Sequence, residues 1–423
     1  MNEMSVGSAS LPGMRRAAAG ERIAREAVFR ALGCLQTGSL TLHEGQDTFH
    51  FGGDAGEGAG PRAQVHVHDP AAYGQVLKGG AIAAGESYMR GLWSSPDLVQ
   101  ATRLFCANLS VLEGFDAKQS LGVRIALRMA HLFNRNTRSG SKNNIAAHYD
   151  LGNDFFRLFL DESMMYSSAL FTDPRTTLEY ASEAKLDELC VQLELGPEDH
   201  LLEIGTGWGG MAIHAARYYG CRVTTTTISR EQFEYASRRV REEGLEDRIT
   251  LLCEDYRNLS GRYDKLVSIE MIEAVGHEFY SEYFRTCSGL LRDDGVMVIQ
   301  AITMADQRYD RARGTVDFIK RYIFPGGCLP SIAVIAAHLA RDTDMQMVHL
   351  RDISRDYAMT LAHWRDRFMA RLDAVRAMGF SEEFIRMWEY YLCYCEGGFR
   401  ERVIGTVQVA FAKPAYRRAE PRR

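Results

Sequence analysis

The sequence predicts an α/β fold on a mainly parallel sheet, the class of a Rossmann-like nucleotide-binding domain, preceded by a smaller α+β module. Three observations carry this. From His200 onward, short apolar segments alternate with amphipathic helical ones. A glycine turn, Gly205-Thr206-Gly207-Trp208-Gly209-Gly210, joins the first apolar segment to a helical one. And 423 residues, 46% hydrophobic and 25% charged, suffice for two folded domains. The strands expected in the sheet are Leu201–Ile204, Arg222–Thr226, Ile249–Cys253, Tyr263–Ile269 and Gly295–Gln300.

The elements follow in chain order. Residues 1–20 mix Ser, Gly, Ala and Arg without an apolar core, so a flexible N-terminus that is not a secretory signal is expected. Residues 21–117 form the smaller module: a helical opening with Ile23, Ala27, Phe29 and Leu32, a Gly-rich turn cluster over Gly52–Gly60, and a strand at Gln64–His68 that alternates with period two. His66 and His68 share one face of that strand and read as solvated, because no third ligand is in view. Residues 118–142 are expected as a basic amphipathic helix and linker. Over Lys118–Arg135, Leu121, Ile125, Met129 and Leu132 make one stripe and Arg124, Arg128, His131 and Arg135 another. That helix reads either as a linker with solvated arginines or as a surface for anionic lipid. Residues 143–413 carry the α/β domain, and 414–423 a basic tail.

Charge and cysteines exclude several classes. The balance of 50 Lys+Arg against 55 Asp+Glu leaves a net charge of -5, without the bulk basic field of a nucleic-acid binder. Nine cysteines, an odd count with no CxxC pair, point to a reducing compartment and to no metal site. No run of about 18 apolar residues is present, so a cytoplasmic protein that meets membrane only at its surface is expected.

At the glycine turn, a dinucleotide-binding unit would carry an acidic residue about 20 positions on, for the ribose. Thr225-Thr226-Thr227-Ile228-Ser229 stands there instead, while Glu203 precedes the turn. NAD is therefore the poorer choice. Cys253-Glu254-Asp255 ends the third strand and sets a carboxylate beside the same cleft, where an adenine amino group can donate to it.

Longer motifs then carry a resemblance. Asn144-Ile145, His148-Tyr149-Asp150-Leu151-Gly152-Asn153-Asp154-Phe155, Met165-Tyr166-Ser167-Ser168-Ala169, the Glu203–Gly210 turn, Met271-Ile272-Glu273 with Val275-Gly276, and Tyr322-Ile323-Phe324-Pro325-Gly326-Gly327-Cys328-Leu329-Pro330 resemble the cyclopropane-fatty-acyl-phospholipid synthases. These are S-adenosylmethionine-dependent and related to the mycolic acid cyclopropane synthases. Gly85-Glu86-Ser87-Tyr88-Met89 and Gly91-Leu92-Trp93 extend the resemblance into the N-terminal module, which it marks as a lipid-handling domain. The resemblance implies a class I methyltransferase domain. It assigns S-adenosylmethionine to Tyr166, Ser167, Gly205, Gly207, Thr227, Ser229, Gln232, Glu254 and Ile269. It assigns a bicarbonate ion to Glu273 and Tyr357, with backbone groups near Ser168 and Ile302. Two departures stand out: Ser168 replaces the Cys of many members, and Gln300-Ala301-Ile302 replaces His-Thr-Ile.

The implied reaction is methyl transfer to the cis double bond of an unsaturated phospholipid acyl chain. The cation so formed closes to a cyclopropane when a base removes a proton from the new methyl. Bicarbonate is the base the resemblance implies, with Glu273 receiving its proton. Gln300 donates a hydrogen bond yet does not titrate near neutrality, so methylation without ring closure stays open as a second outcome. A catalytically silent lipid-binding protein is a third. The resemblance further implies a homodimer working peripherally at an anionic membrane surface.

Overall fold

The computed structural model describes residues 19–53, 60–109 and 151–417. The expected basic helix and linker, the motif residues 144–150, the N-terminus before residue 19 and Arg418, Arg422 and Arg423 lie outside the described residues. Within them the chain forms two compact units: 19–109 with 382–390, and 151–381 with 391–417.

The smaller unit opens on the helix Ala19–Leu32 and holds a four-stranded sheet in the order β2-β1-β3-β4, with β1 Ser39–Glu44, β2 Asp47–Gly52, β3 Arg62–Val67 and β4 Trp93–Ser94. β1 runs antiparallel to β2 and parallel to β3. The alternation expected at residues 64–68 is present: Ala63, Val65 and Val67 are buried, while His66 stacks on His43 and His68 bonds Ser94 Oγ at 2.7 Å. The helix Leu98–Ala107 is capped by Asp97, whose carboxylate accepts from the Gln100 N–H. Just past its end, the buried Asn108 amide is saturated. It accepts from the Gln36 and Thr37 N–H groups and donates to the Thr37 and Leu104 carbonyls. Tyr88 donates to Glu389 at 2.7 Å, and Trp93 Nε1 donates to the Ala84 carbonyl at 3.0 Å.

The larger unit is a seven-stranded sheet in the order β10-β11-β9-β8-β5-β6-β7: β5 His200–Ile204, β6 Arg222–Thr226, β7 Ile249–Leu252, β8 Tyr263–Ile269, β9 Leu291–Met304, β10 Gln346–Asp352 and β11 Ile404–Ala412. β5 to β9 pair in parallel; β11 lies antiparallel between β9 and β10. All five expected strands are present. β9 is longer than expected, and β10 and β11 were not anticipated. Leu201, Leu202, Leu266, Val267 and Val298 are fully buried, as strands covered on both faces require. The strand order reverses between β5 and β8, and in open α/β sheets such a crevice, at the carboxyl ends of the strands, is where ligands bind.

Candidate active site

The glycine turn leaves β5 at that crevice. Gly205 has φ 101 and Gly207 φ 52, conformations that favour glycine. Gly205 and Thr206 both donate N–H bonds to the Thr226 carbonyl, which fixes the turn against β6. A Cβ at Gly207 would meet only open space, whereas one at Gly210 would lie 2.6 Å from Met165 Sδ. The missing side chain at Gly210 thus lets the segment before Tyr166 settle on the turn. Arg239 ties the same two pieces together, donating to the Ser163 and Trp208 carbonyls.

The hydroxyls at the end of β6 and just past it hold the wall of the crevice. Thr225 donates to the buried Glu203 carboxylate at 2.6 Å, and Thr226 to the Glu254 carbonyl. Thr227 donates to the Gln232 side chain at 2.9 Å, and Ser229 caps the helix Arg230–Glu242. Glu254 ends exposed past β7. Tyr166 is half-buried, its hydroxyl 2.9 Å from that of Tyr391, and Ser167 Oγ accepts from the Lys185 ammonium at 2.9 Å. Open space beside Gly207 and an exposed carboxylate at the far strand, Glu254, fit a nucleoside with an amino-acid tail. S-adenosylmethionine suits this crevice on those grounds.

One residue further along, the same segment meets a buried acid. The Ser168 N–H donates to Glu270 Oε1 at 2.9 Å, Gln300 Nε2 donates to the same oxygen at 2.8 Å, and the Tyr357 hydroxyl donates to Oε2 at 2.7 Å. Glu270 follows the last residue of β8 with φ 49, unusual for a side-chain-bearing residue, and its N–H donates to the Gln300 carbonyl. Ile269 pairs with Gln300 in the sheet, which sets the Glu270 and Gln300 side chains beside each other. Glu273, three residues on, accepts the Ile302 N–H on Oε1 at 2.5 Å; its Oε2 is out of solvent with no partner. Its carbonyl accepts from Cys328 in the Tyr322–Pro330 loop.

Burial raises the pKa of both acids. For Glu270 the bonds from Gln300, Ser168 and Tyr357 oppose the rise, together with the Lys185 charge. For Glu273, burial and the neighbouring Glu270 charge push the pKa up to about 8, against weaker backbone hydrogen bonds. Glu270, with three hydrogen-bond donors and the Lys185 charge, is thus the better stabilised anion of the two.

This geometry corrects one expectation. Glu273 and Tyr357 do not meet around a common anion: Tyr357 bonds Glu270, and Glu273 bonds Ile302. A bicarbonate does not fit the arrangement, because the Ser168 N–H, the Gln300 amide and the Tyr357 hydroxyl are already spent on Glu270. Sequence reasoning missed Glu270, Lys185 and Tyr391. The signal for Glu270 was present, an acid one position before the Met271-Ile272-Glu273 motif.

The fold and the cleft define a class I S-adenosylmethionine-dependent methyltransferase. Residues 136–409 match the family described as mycolic acid cyclopropane synthetase, and the chain belongs to that family. It is 39% identical over 365 residues to a tuberculostearic acid methyltransferase of Mycobacterium tuberculosis, covering 84% of this chain and 85% of that protein. It is 38% identical over 363 residues to the cyclopropane-fatty-acyl-phospholipid synthase of Escherichia coli K12, covering 85% and 90%. Among solved structures, the mycolic acid cyclopropane synthase complexed with SAH and CTAB superposes with a TM-score of 0.61 at 32% identity, over 64% of this chain and 98% of that one. The protein is therefore an enzyme, not a silent binder.

Proposed function

We propose that this enzyme transfers a methyl-derived carbon from S-adenosylmethionine to the cis double bond of an unsaturated phospholipid acyl chain and closes a cyclopropane ring. The observation that carries the reading is adjacency: Met165 lies against the glycine turn at Gly210, and Ser168, three residues on, bonds the buried carboxylate at the end of β8. One short segment would thus hold both the methyl donor and the proton acceptor.

When bound, S-adenosylmethionine supplies an electrophilic methyl on a sulfonium. The glycine turn, Thr227, Ser229, Gln232, Glu254 and Ile269 are the residues that would hold it. The protein's task at the other side is to orient an apolar alkene and keep water from the cation. Aromatic rings serve both ends: Tyr166 packs on Phe156 and Trp364 at 5.3 and 5.2 Å, and Tyr357 stacks on Phe399 at 4.5 Å. Their faces stabilise positive charge, and their bulk excludes water.

The relatives divide between one named a methyltransferase and one named a cyclopropane synthase. Either outcome needs a base to take a proton from the methylated cation, and the buried acid beside the crevice is placed for that; in ring closure the proton comes from the new methyl. The same reading places the substrate at an anionic membrane surface and the enzyme as a homodimer. No helix of the described residues is long and apolar enough to cross a membrane.

Release of S-adenosylhomocysteine tests the substrate class. Purified protein with vesicles of cis-unsaturated phosphatidylglycerol is expected to release it, and with fully saturated vesicles to release only background. Equal release from both would contradict an alkene acceptor.

A further inference from the structure

We propose that the Glu270 side chain fills the anion position of this active site and is itself the base that takes the proton from the methylated acyl chain, so that turnover needs no bicarbonate. This rests on the acyl-transfer reading above and deepens it.

The donor set comes first. A carboxylate presents the same planar O–C–O edge as bicarbonate, and Glu270 presents it to the Ser168 N–H, the Tyr357 hydroxyl and Gln300 Nε2 at 2.7–2.9 Å. A second anion at this position would face donors already used and two buried carboxyl groups, Glu270 and Glu273.

The amide geometry comes second. Gln300 is fully buried, and its Oε1 accepts from Gln408 Nε2 at 3.0 Å. Gln408 Oε1 in turn accepts from Gln192 Nε2 at 2.8 Å. With its oxygen committed, the Gln300 amide must aim its NH2 at Glu270 and at the Ser168 carbonyl, 3.2 Å away. A carboxamide holds that orientation at every working pH and takes no proton itself, which leaves Glu270 as the acceptor.

Backbone and valence agree. A glutamate at φ 49 stores strain that glycine would relieve, and such strain recurs where a side chain must be aimed. Glu270 Oε1 accepts two hydrogen bonds and Oε2 one, so Oε2 keeps a lone pair for a proton.

The step balances without a further reactant. The bond from sulfur to methyl breaks with its electron pair left on sulfur, while the alkene pair forms the new carbon–carbon bond. A C–H pair of the transferred methyl then forms the last ring bond to the cationic carbon, and its proton passes to Glu270 Oε2. Loss of that proton to water restores the carboxylate.

The test uses the full chain, vesicles of cis-unsaturated phosphatidylglycerol and methyl-labelled S-adenosylmethionine, in buffer stripped of carbon dioxide and in the same buffer with added bicarbonate. Wild-type rates are expected to agree within about twofold. Glu270→Gln should lose about 10²–10⁴-fold in kcat while binding S-adenosylhomocysteine as wild type does, which a folding defect would not allow. Glu270→Gly, unstrained at this φ, vacates the position and keeps its donors, so added bicarbonate is expected to restore turnover to that variant. Wild-type turnover that requires bicarbonate, or a Glu270→Gln enzyme near wild-type rate, would overturn the proposal. No labelled lipid from wild type in either buffer would instead overturn the acyl-transfer reading, and this proposal with it.

Discussion

Lys185→Met is expected to cost about 3–5 kcal/mol of stability, the loss that follows when one partner of a buried ionic cluster is removed. Lys185 is fully buried in the helix Leu178–Gln192, where its ammonium donates to Ser167 and faces Glu270, Asp161 and Glu203. Burial pulls its pKa down to about 8, against the pull of those three acids. Methionine keeps the length and bulk but leaves the carboxylates without a cation. The effect carries a pH signature. Burial raises the Glu203 pKa from 4.5 to about 8, opposed by the Thr225 bond and the Lys185 charge. Between those values the folded state binds more protons than the unfolded chain, so this acid's contribution falls as pH rises from about 4.5 to about 8. Without Lys185, whose charge lowers that pKa, the fall should continue to higher pH. Melting temperatures at pH 5.5 and pH 8 check it: the deficit of the variant should be larger at pH 8. A deficit equal at both, or absent, would mean that the lysine does not balance the acids.

Gly205→Val is expected to weaken S-adenosylhomocysteine binding by about 100-fold or more while leaving the protein folded. At φ 101 a β-branched residue costs on the order of 1–3 kcal/mol. The turn must therefore move, and with it the two N–H bonds to the Thr226 carbonyl and the aim of Gly207. A Cβ at Gly205 also reaches Met271 Cγ at 3.5 Å, so the change is felt next to Glu270. A strain of that size is small against a fold of this length, whereas a tight turn fixed by two N–H bonds to one carbonyl loses its geometry altogether. Isothermal titration calorimetry beside a thermal melt separates the two effects; binding as tight as wild type would show that the turn does not hold the ligand.

The parallel strands were legible in the sequence because each is an apolar run bounded by turn residues, and their order followed from alternation with helices. β10 was not, because six of its seven residues are exposed and show no period of two. β11 is buried from Thr406 to Ala412, but Gln408 interrupts its apolar run, and only the fold supplies Gln192 and Gln300 to satisfy that amide. The same limit hid Glu270. In sequence it is an acid at a strand end, which ordinarily faces solvent. Ser168 lies 102 positions before it and Tyr357 87 after, so the donors that make it an anion site converge only in three dimensions. Lys185 was hidden in a helix otherwise rich in Glu and Asp, where a lysine reads as one half of a surface pair. The cofactor turn, by contrast, is contiguous, and its glycines announced themselves.

The measurement that tests the account most directly is mass spectrometry of the fatty acids from cis-unsaturated phosphatidylglycerol vesicles after incubation with the protein and S-adenosylmethionine bearing a trideuterated methyl. Ring closure through a protein base predicts a saturated cyclopropane product that keeps two of the three deuteriums. A branched product that keeps all three would contradict the ring-closing account and assign the enzyme to methylation alone.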